Sequence, residues 1–425
     1  MTIEYYNKVK TLLKYAIAGT EWEGHVYTVG GCERDRLMGR EIKDIDIVID
    51  LPNGGIRFAK WLEEHHLTKG SVVVYENYGT AMFRLTEAPD IEIEAVQTRK
   101  ECYRDLTTRN PETAFGTIED DCHRRDFTYN AIYFDITNEE TKDFGGNGLK
   151  DLLNNILRTC GDPDIIYKED PLRILRAIRF ATRFDSKFEV DTLTGMHVFS
   201  HRLEIISKER IQDEVFKILM SRGAKDGLEL IFNVGAMSYV FPCLSKDMKD
   251  VIIARAERWR DGDSLAARLA SILYDEDITN ALTFLKCSNE LIENVENFAE
   301  WAFRLNGVRE IDSEQERNAF IRKVQFMAKN PTMFDQAASV LYYVTGDISD
   351  YNSLINYSVG MQMYHTDMFG YTLPVNGEDV MQLKNIPPSK AVGQYLNDAM
   401  EYVYCNPNAT KEEILEYINE LDYDN

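Results

Sequence analysis

No Cys-x-x-Cys pair occurs in the 425 residues, although seven cysteines are present. Thiols scattered in this way (Cys32, Cys102, Cys122, Cys160, Cys243, Cys287 and Cys405) suggest neither a disulfide framework nor a zinc site, and they read as reduced, mostly structural side chains. Long apolar runs are missing as well, since nothing approaches the roughly 20 residues that a membrane span requires. The opening MTIEYYNKVKTLLKY lacks the cationic flank and unbroken apolar core of a signal peptide, so a soluble cytoplasmic protein is expected. No repeat or low-complexity tract occurs, and no His-Asp dipeptide marks a phosphohydrolase among the seven dispersed histidines. Positive charge is also in deficit, with a formal net charge of -23. A nucleic-acid partner normally needs a basic surface to displace counterions from its phosphates. The distribution softens that objection: Lys168 to Arg222 holds eleven Lys or Arg against nine Asp or Glu, whereas Glu401 to Asn425 holds seven acids and one lysine. The middle of the chain permits a polyanionic substrate without demanding one.

What remains is an ordinary globular composition, 44% hydrophobic, long enough for two or more domains with their own cores. Strand-like runs over residues 24–98 (HVYTVGG, DIDIVID, SVVVYE, AMFRL, IEIEAV) alternate with one helical segment, IRFAKWLEEHH. The stretch ERDRLMGR between the first two runs reads as a charged turn. Residues 99–122 are polar, contain Pro111 and Gly116, and read as a long loop of the kind that serves function or moves. After FTYNAIYFDI the turn FGGNG closes this domain near residue 150, and the pattern beyond it is helical, with breaks near Pro242, Gly307 and Pro331 and a tail from about residue 370. The expected fold is α+β, a mixed-sheet head at 1–150 followed by a helical neck at 151–222, body at 223–369 and tail at 370–425.

The chemistry concentrates in VGGCERDRLMGREIKDIDIVID, residues 29–50. Residues two apart in a strand project to one face, so Asp44 and Asp46 aim together while Ile45, Ile47 and Ile49 pack on the other. Two carboxylates so close repel unless a divalent cation lies between them, and hard oxygen ligands suit Mg²⁺ bridged to substrate phosphates. Gly30 and Gly31 follow the strand HVYTV, where a turn without side chains lets backbone N–H groups approach a triphosphate. A glycine pair, twelve residues and then Asp-Ile-Asp-Ile resembles the signature of the nucleotidyltransferase superfamily related to DNA polymerase β. That resemblance implies transfer of a nucleotide from a triphosphate to a hydroxyl with release of pyrophosphate, and a third carboxylate on a neighbouring strand. IEIEAVQTR offers Glu94, five residues before Arg99, with Glu92 as its rival on the same face.

Three further motifs, and one more match in the tail, narrow the resemblance to class II tRNA nucleotidyltransferases, the CCA-adding enzymes. RRDFTYNA, residues 124–131, is similar to the motif whose basic residues meet triphosphate and whose Asp recognises the ribose hydroxyls. It implies phosphate contact from Arg124 or Arg125, selection of ribonucleotides by Asp126, and nucleotide binding by Asn130 and by Arg34. EDPLRILRAIRF, residues 169–180, sets Asp170 before Pro171, which locally reads as an N-cap with proline at the first helical position. The family uses this motif to read the incoming base. Cytosine and adenine both present an amino donor beside a ring acceptor, while uracil and guanine present the reverse, so one carboxylate and one guanidinium, Asp170 and Arg173, accept C and A and reject U and G. Arg176 and Arg179 drift around the helix and are assigned to phosphates or pocket walls. SKERIQDEVFKIL, residues 207–219, resembles the helix that buttresses the base-reading helix, with Ser207 as its N-cap and Glu209 and Arg210 behind the site. LPVNGEDVMQLKNIPPSKAVGQYLNDAM resembles the segment lying toward the tRNA elbow, where Gly377, Asp379 and Gly393 fit and Pro388-Ser389-Lys390 departs from the usual glycine-containing turn. Glu33 departs too, standing where the family's motif has Val.

The resemblance therefore implies template-independent addition of C, C and A to the 3′ end of tRNA from CTP and ATP, with two Mg²⁺ ions held on Asp44 and Asp46. Its rivals are a poly(A) polymerase, a CC- or A-adding specialist, and a tRNA-binding protein without activity. The basic, His-containing strand of bacterial poly(A) polymerases is absent from AMFRLTEAPDIEIEA.

Overall fold

Alternation of isoleucine and valine with polar residues builds a seven-stranded sheet in the N-terminal unit, Met1–Val240, of a computed structural model that describes residues 1–76, 79–102 and 112–422. Helix α1 (Ile3–Ile17) leads to β1 (Val26–Val29), α2 (Gly31–Leu37), β2 (Ile45–Ile49), α3 (Gly54–Glu64), β3 (Val73–Tyr75), β4 (Thr80–Leu85) and β5 (Ala88–Gln97). Next come β6 (Arg99–Cys102), β7 (Glu112–Phe115), α4 (Ile118–His123), a short 3-10 turn (Thr128–Asn130), β8 (Tyr133–Asp135) and β9 (Glu140–Lys142). The sheet order is β3-β4-β5-β2-β1-β8-β9, mixed because β2 and β5 run parallel while the other neighbours run antiparallel. In the parallel pair Asp46 stands opposite Glu94.

Both faces of this sheet are covered, which explains why its central strands are so apolar. On one face Tyr6, Val9 and Leu13 of α1 and Phe58 and Leu62 of α3 pack with Ile45, Ile47, Ile49 and Ile93. Helix α3 lies close enough that a Cβ on Gly55 would come within 2.5 Å of the Ala95 carbonyl oxygen. On the opposite face Val48 packs with Val29, Tyr133 and the α4 residues Ile118 and Cys122. Asp44 and Asp46 belong to this second face by strand alternation, Asp44 exposed just before β2 and Asp46 partly buried within it.

Two expectations for this region are corrected. The charged turn after the glycine pair is the helix α2, and the stretch 99–122 is not one loop: β6 and β7 pair as an antiparallel ribbon and α4 follows, its N-terminus closed by a capping box between Thr117 and Asp120. Pro111 of that stretch lies outside the described residues.

Helices dominate the rest of the unit: α5 (Gly148–Asn154), α6 (Pro163–Glu169), α7 (Leu172–Phe184), α8 (Val190–Phe199), α9 (Lys208–Leu219), α10 (Ala224–Asn233) and α11 (Met237–Val240), with a small parallel ribbon of β10 (Ile156–Leu157) and β11 (Lys187–Phe188). Helix α7 buries Leu172, Ile174, Leu175, Ile178 and Phe184, so it is fixed on several sides. Its first residue is Leu172 rather than Pro171, so the N-cap position expected for Asp170 falls to Pro171 without a side-chain cap, and the Asp170 carboxylate accepts the Leu172 N–H at 3.2 Å from one residue further out. Ser207 stands at the N-cap of α9 without a side-chain capping bond.

The second unit, Phe241–Asn425, is helical: α12 (Lys249–Ala256), α13 (Leu265–Ile272), α14 (Ile278–Phe284), α15 (Asn289–Asn306), α16 (Glu314–Ala328), α17 (Pro331–Thr345), α18 (Ile348–Met363), α19 (Gly377–Lys384), α20 (Lys390–Cys405) and α21 (Lys411–Glu420). Gly307 ends α15 and Pro331 opens α17, as their chemistry predicts. The core of α19 to α21 (Val380, Tyr395, Ala399, Ile414) extends onto Phe326 of α16, whose neighbour Arg322 donates to the carbonyls of Thr366 and Tyr404. Among the described residues no helix is long and apolar enough to cross a membrane.

Candidate active site

The glycine turn is built by a backbone that only glycine adopts readily: Gly30 has φ +83° as the chain leaves β1 for α2. A Cβ placed there would lie 3.6 Å from Asp46 Oδ2 and 3.7 Å from Arg125 Nη1, so the turn, the strand acid and one arginine of RRD meet at a single point. Gly31 begins α2 and faces the Arg34 guanidinium at a similar distance. A carboxylate, a guanidinium and a backbone without side chains are what a triphosphate and its counter-cation need side by side.

From that point a chain of paired groups runs through the remaining expected residues. Arg34 is buried; it donates to Asn130 Oδ1 at 2.6 Å and lies over the rings of Phe180 and Phe184 of α7. Asn130 donates through its amide nitrogen to Asp126 Oδ1 at 3.0 Å, and Asp126 Oδ2 accepts from Arg176 Nε at 3.1 Å and Nη2 at 2.6 Å. Arg176 Nη1 reaches Glu214 of α9 at 3.6 Å, and the same carboxylate accepts from Arg179 Nε at 2.6 Å. A second node is Asp121 of α4, completely buried, which accepts from Arg124, Arg125 and the Tyr133 hydroxyl. Arg124 is further held by Glu101, which also pairs with Arg99 at 3.1 Å. Each of these guanidiniums thus lies against an acid, Arg34 against Asp35 at 2.8 Å and the others partly sharing Asp121 and Glu214, the arrangement that lets buried charge persist.

Asp46 and Arg173 depart from this completeness, as does Arg99, whose buried Nε has no hydrogen-bond partner. Burial, the facing Glu94 and the nearby Asp44 push the Asp46 carboxyl up to about 6, with only Arg125 pulling it down. Arg173 donates through Nη2 to the Arg124 carbonyl at 2.7 Å, but its buried Nη1 has no hydrogen-bond partner. Glu169 ends α6 and Asp170 lies in the link to α7, and burial raises the Glu169 carboxyl although Arg173 opposes the shift. By contrast Asp126 and Asp121, against the effect of burial, are held at about 2 by Arg176 and by Arg125 with Arg124 respectively.

The acids fit a hard cation in a limited way. Among the described residues no three His, Cys, Asp or Glu side chains converge to hold a metal ion. Asp44 and Asp46 would supply part of a coordination shell, the remainder coming from water and phosphate, which is the usual habit of Mg²⁺. The raised Asp46 carboxyl agrees, since a carboxylate short of positive charge gains most from a cation. Glu94 faces Asp46 across the parallel register, whereas Glu92 is paired with Arg84 at 3.4 Å.

Asp121 and Glu214 hold the arginines in place, and neither stood out in the sequence. Both lie on the buried stripe of an amphipathic helix, Asp121 beside Ile118 and Cys122, Glu214 beside Ile211, Val215 and Ile218. An acid on an apolar stripe is the signal that would have found them.

Comparison with known proteins places these features in a wider set. Residues 26–158 match the model of the poly A polymerase head domain, and residues 187–248 match that of a probable RNA- and SrmB-binding site of polymerase A. The chain is 28% identical to a CCA-adding enzyme of Ligilactobacillus salivarius over 98% of its own length and 97% of that enzyme. Its fold is similar to the crystal structure of the Bacillus stearothermophilus CCA-adding enzyme in complex with CTP, with a TM-score of 0.76 at 21% identity, covering 99% of this chain and 98% of the other. It is also similar to the Thermotoga maritima CCA-adding enzyme complexed with tRNA, with a TM-score of 0.70 at 22% identity over 98% and 95% of the two chains.

Proposed function

The chain belongs to the CCA tRNA nucleotidyltransferase and poly(A) polymerase family, and on that premise we propose that it adds C, C and A in turn to the 3′ end of tRNA, consuming CTP and ATP and releasing pyrophosphate. The observation that carries this reading is the convergence of Gly30, Asp46 and Arg125. In each addition the terminal 3′-hydroxyl oxygen bonds to the α-phosphorus, the bond from that phosphorus to the bridging oxygen breaks, and pyrophosphate leaves in line. Asp44 and Asp46 would hold Mg²⁺, which when bound neutralises the triphosphate and makes the hydroxyl more acidic. Glu94 closes the acidic side of the site.

The positively charged side falls to the arginines. Asp121 holds both arginines, and Arg125, beside the glycine turn, is better placed for phosphate than Arg124, which Glu101 engages as well. Arg34 and Asn130 lie where the triphosphate and ribose enter. For Asp126 to accept a ribose hydroxyl, Asn130 or Arg176 must give up part of its present bond. Asp170 and Arg173 read the base edge, and the unpartnered Arg173 Nη1 supports that role, because a buried donor gains most from the acceptor it lacks. Arg176 and Arg179, paired with Asp126 and Glu214, form the pocket wall. In this reading the head at 1–150 performs the chemistry, the neck at 151–222 reads the base, and the body and tail hold the acceptor and elbow of tRNA, in the cytoplasm.

The test is to offer tRNA lacking its 3′ end with each triphosphate singly and in combination, and to sequence the products. The expected result is two cytidines from CTP alone and a complete CCA from CTP with ATP. A homopolymer of A would reassign the chain to poly(A) synthesis, and no incorporation at all would remove the catalytic reading.

A further inference from the structure

Glu33 is an acid of the glycine-turn motif that the proposed reaction does not use, and it is completely buried. Its carboxylate accepts from three elements at once. Oε1 takes the Tyr6 hydroxyl of α1 and the Thr28 hydroxyl of β1, the latter at 2.6 Å, and Oε2 takes Arg36 Nε at 2.7 Å from the next turn of α2. Arg36 continues outward, donating to Thr141 of β9 at 3.1 Å and lying over the Phe134 ring of β8.

The need for such a clamp follows from α2 itself. At seven residues, with glycine first, it is too short to be stable alone, so tertiary contacts must fix its position and its rotation about its own axis. Consecutive residues project about 100° apart around a helix. Glu33 and Arg36 therefore face α1 and the sheet, while Arg34, one residue on from Glu33, faces Asn130 and the aromatic side of α7. Rotation that carried Glu33 away from Tyr6 and Thr28 would carry Arg34 away from Asn130, and with it the support that Asn130 gives to Asp126.

We infer that Glu33 is a positioning residue for nucleotide binding: it sets the rotation of α2 and so aims the Gly30–Gly31 turn and Arg34 at the triphosphate. The inference rests on the reading that this turn receives the triphosphate. It assigns a task to α1, which supplies Tyr6.

The experiment is steady-state addition of CTP and ATP to tRNA lacking its 3′ end by the full chain and by Glu33→Val, Glu33→Gln and Tyr6→Phe, with thermal unfolding of each. Glu33→Val should raise KM for both triphosphates about tenfold with kcat within about twofold, the loss expected when a buried hydrogen-bonding network that aims a binding group is removed. Glu33→Gln, which keeps an acceptor for Thr28 and Tyr6, should recover most of the affinity. Tyr6→Phe, far from substrate, should raise KM for both nucleotides by about threefold. A lower unfolding temperature with KM unchanged would overturn the inference, leaving Glu33 merely structural. If Glu33→Val does not fold, an unchanged KM in Tyr6→Phe decides against it equally. Absence of incorporation by the unaltered chain would overturn the reading of the turn itself, an outcome distinct from normal incorporation with unaffected variants.

Discussion

Asp46 and Asp126 are both partly buried in the N-terminal unit, and their surroundings drive them apart: burial and Glu94 raise the Asp46 carboxyl to about 6, whereas Arg176 and Asn130, against the effect of burial, hold Asp126 at about 2. Around Asp126 every charge has its counterpart, through Arg34, Asn130, Arg176, Glu214 and Arg179. Around Asp46 the negative charges outnumber the one arginine close by. The same contrast separates Arg173, with an unpartnered buried nitrogen, from Arg176 and Arg179 on the same helix. Completed groups hold shape, and under the proposed function the incomplete ones at Asp46 and Arg173 are where a cation and a base would bind.

The strongest way to break this contrast is to remove an acid from the incomplete side. Asp44→Ala should reduce incorporation of both CTP and ATP by a factor on the order of 10³ while tRNA binding survives, because the loss falls on charge stabilisation in the transition state. Loss of one nucleotide only, read from labelled triphosphates, would mean two separate centres. The next largest effect belongs to the completed side and is read as stability. Asp126→Asn should destabilise the protein by about 3 kcal/mol at pH 7.5, since Arg176 is then buried with a weaker partner. The folded carboxyl is depressed, so its contribution is present above the unfolded value near 4 and fades as pH falls through about 2. Asp46→Asn should act with the opposite sign. Its folded carboxyl is raised, so the native state favours the protonated form, and stability is lost as pH rises from near 4 through about 6. The variant should therefore be more stable than the natural chain by about 2 kcal/mol at pH 7.5 without Mg²⁺, and equal to it near pH 4. Denaturant unfolding at both pH values checks this, and added Mg²⁺ should stabilise the natural chain but not the variant. The smallest effect is one of choice: Arg173→Ala should lower discrimination of C over U about tenfold, more than it weakens triphosphate affinity. An equal loss for all four nucleotides would assign Arg173 to phosphate instead.

Much of this arrangement was legible before any coordinates. The alternation of Ile45, Ile47 and Ile49 with Asp44 and Asp46 announced both the strand and the face its acids take, because burial imposes a period of two. Helix α2 was not legible: Gly30 and Gly31 argue locally for a turn, and what holds the segment as a helix is Glu33 reaching Tyr6 and Arg34 reaching Asn130, both far away in sequence. The β6–β7 ribbon escaped for a related reason, since RKEC and ETAF lack the apolar alternation of a strand packed on a core. Thr117 with Asp120 three residues on did carry a helix-start signal. Asp121 and Glu214 were hidden because acids on helices are usually solvated, and only packing reveals which ones face inward.

Gly55 puts a limit on how this head can vary. With α3 resting on the backbone of β5 at Ala95, one position before which Glu94 faces Asp46, the thickness of the layer beneath the acids is set by a single hydrogen atom. Even a methyl group at that position would wedge the helix from the strand and tilt the carboxylate on its far side. A residue with no charge and no side chain thus becomes a site where the mildest inherited change would produce a heat-sensitive enzyme rather than a silent one.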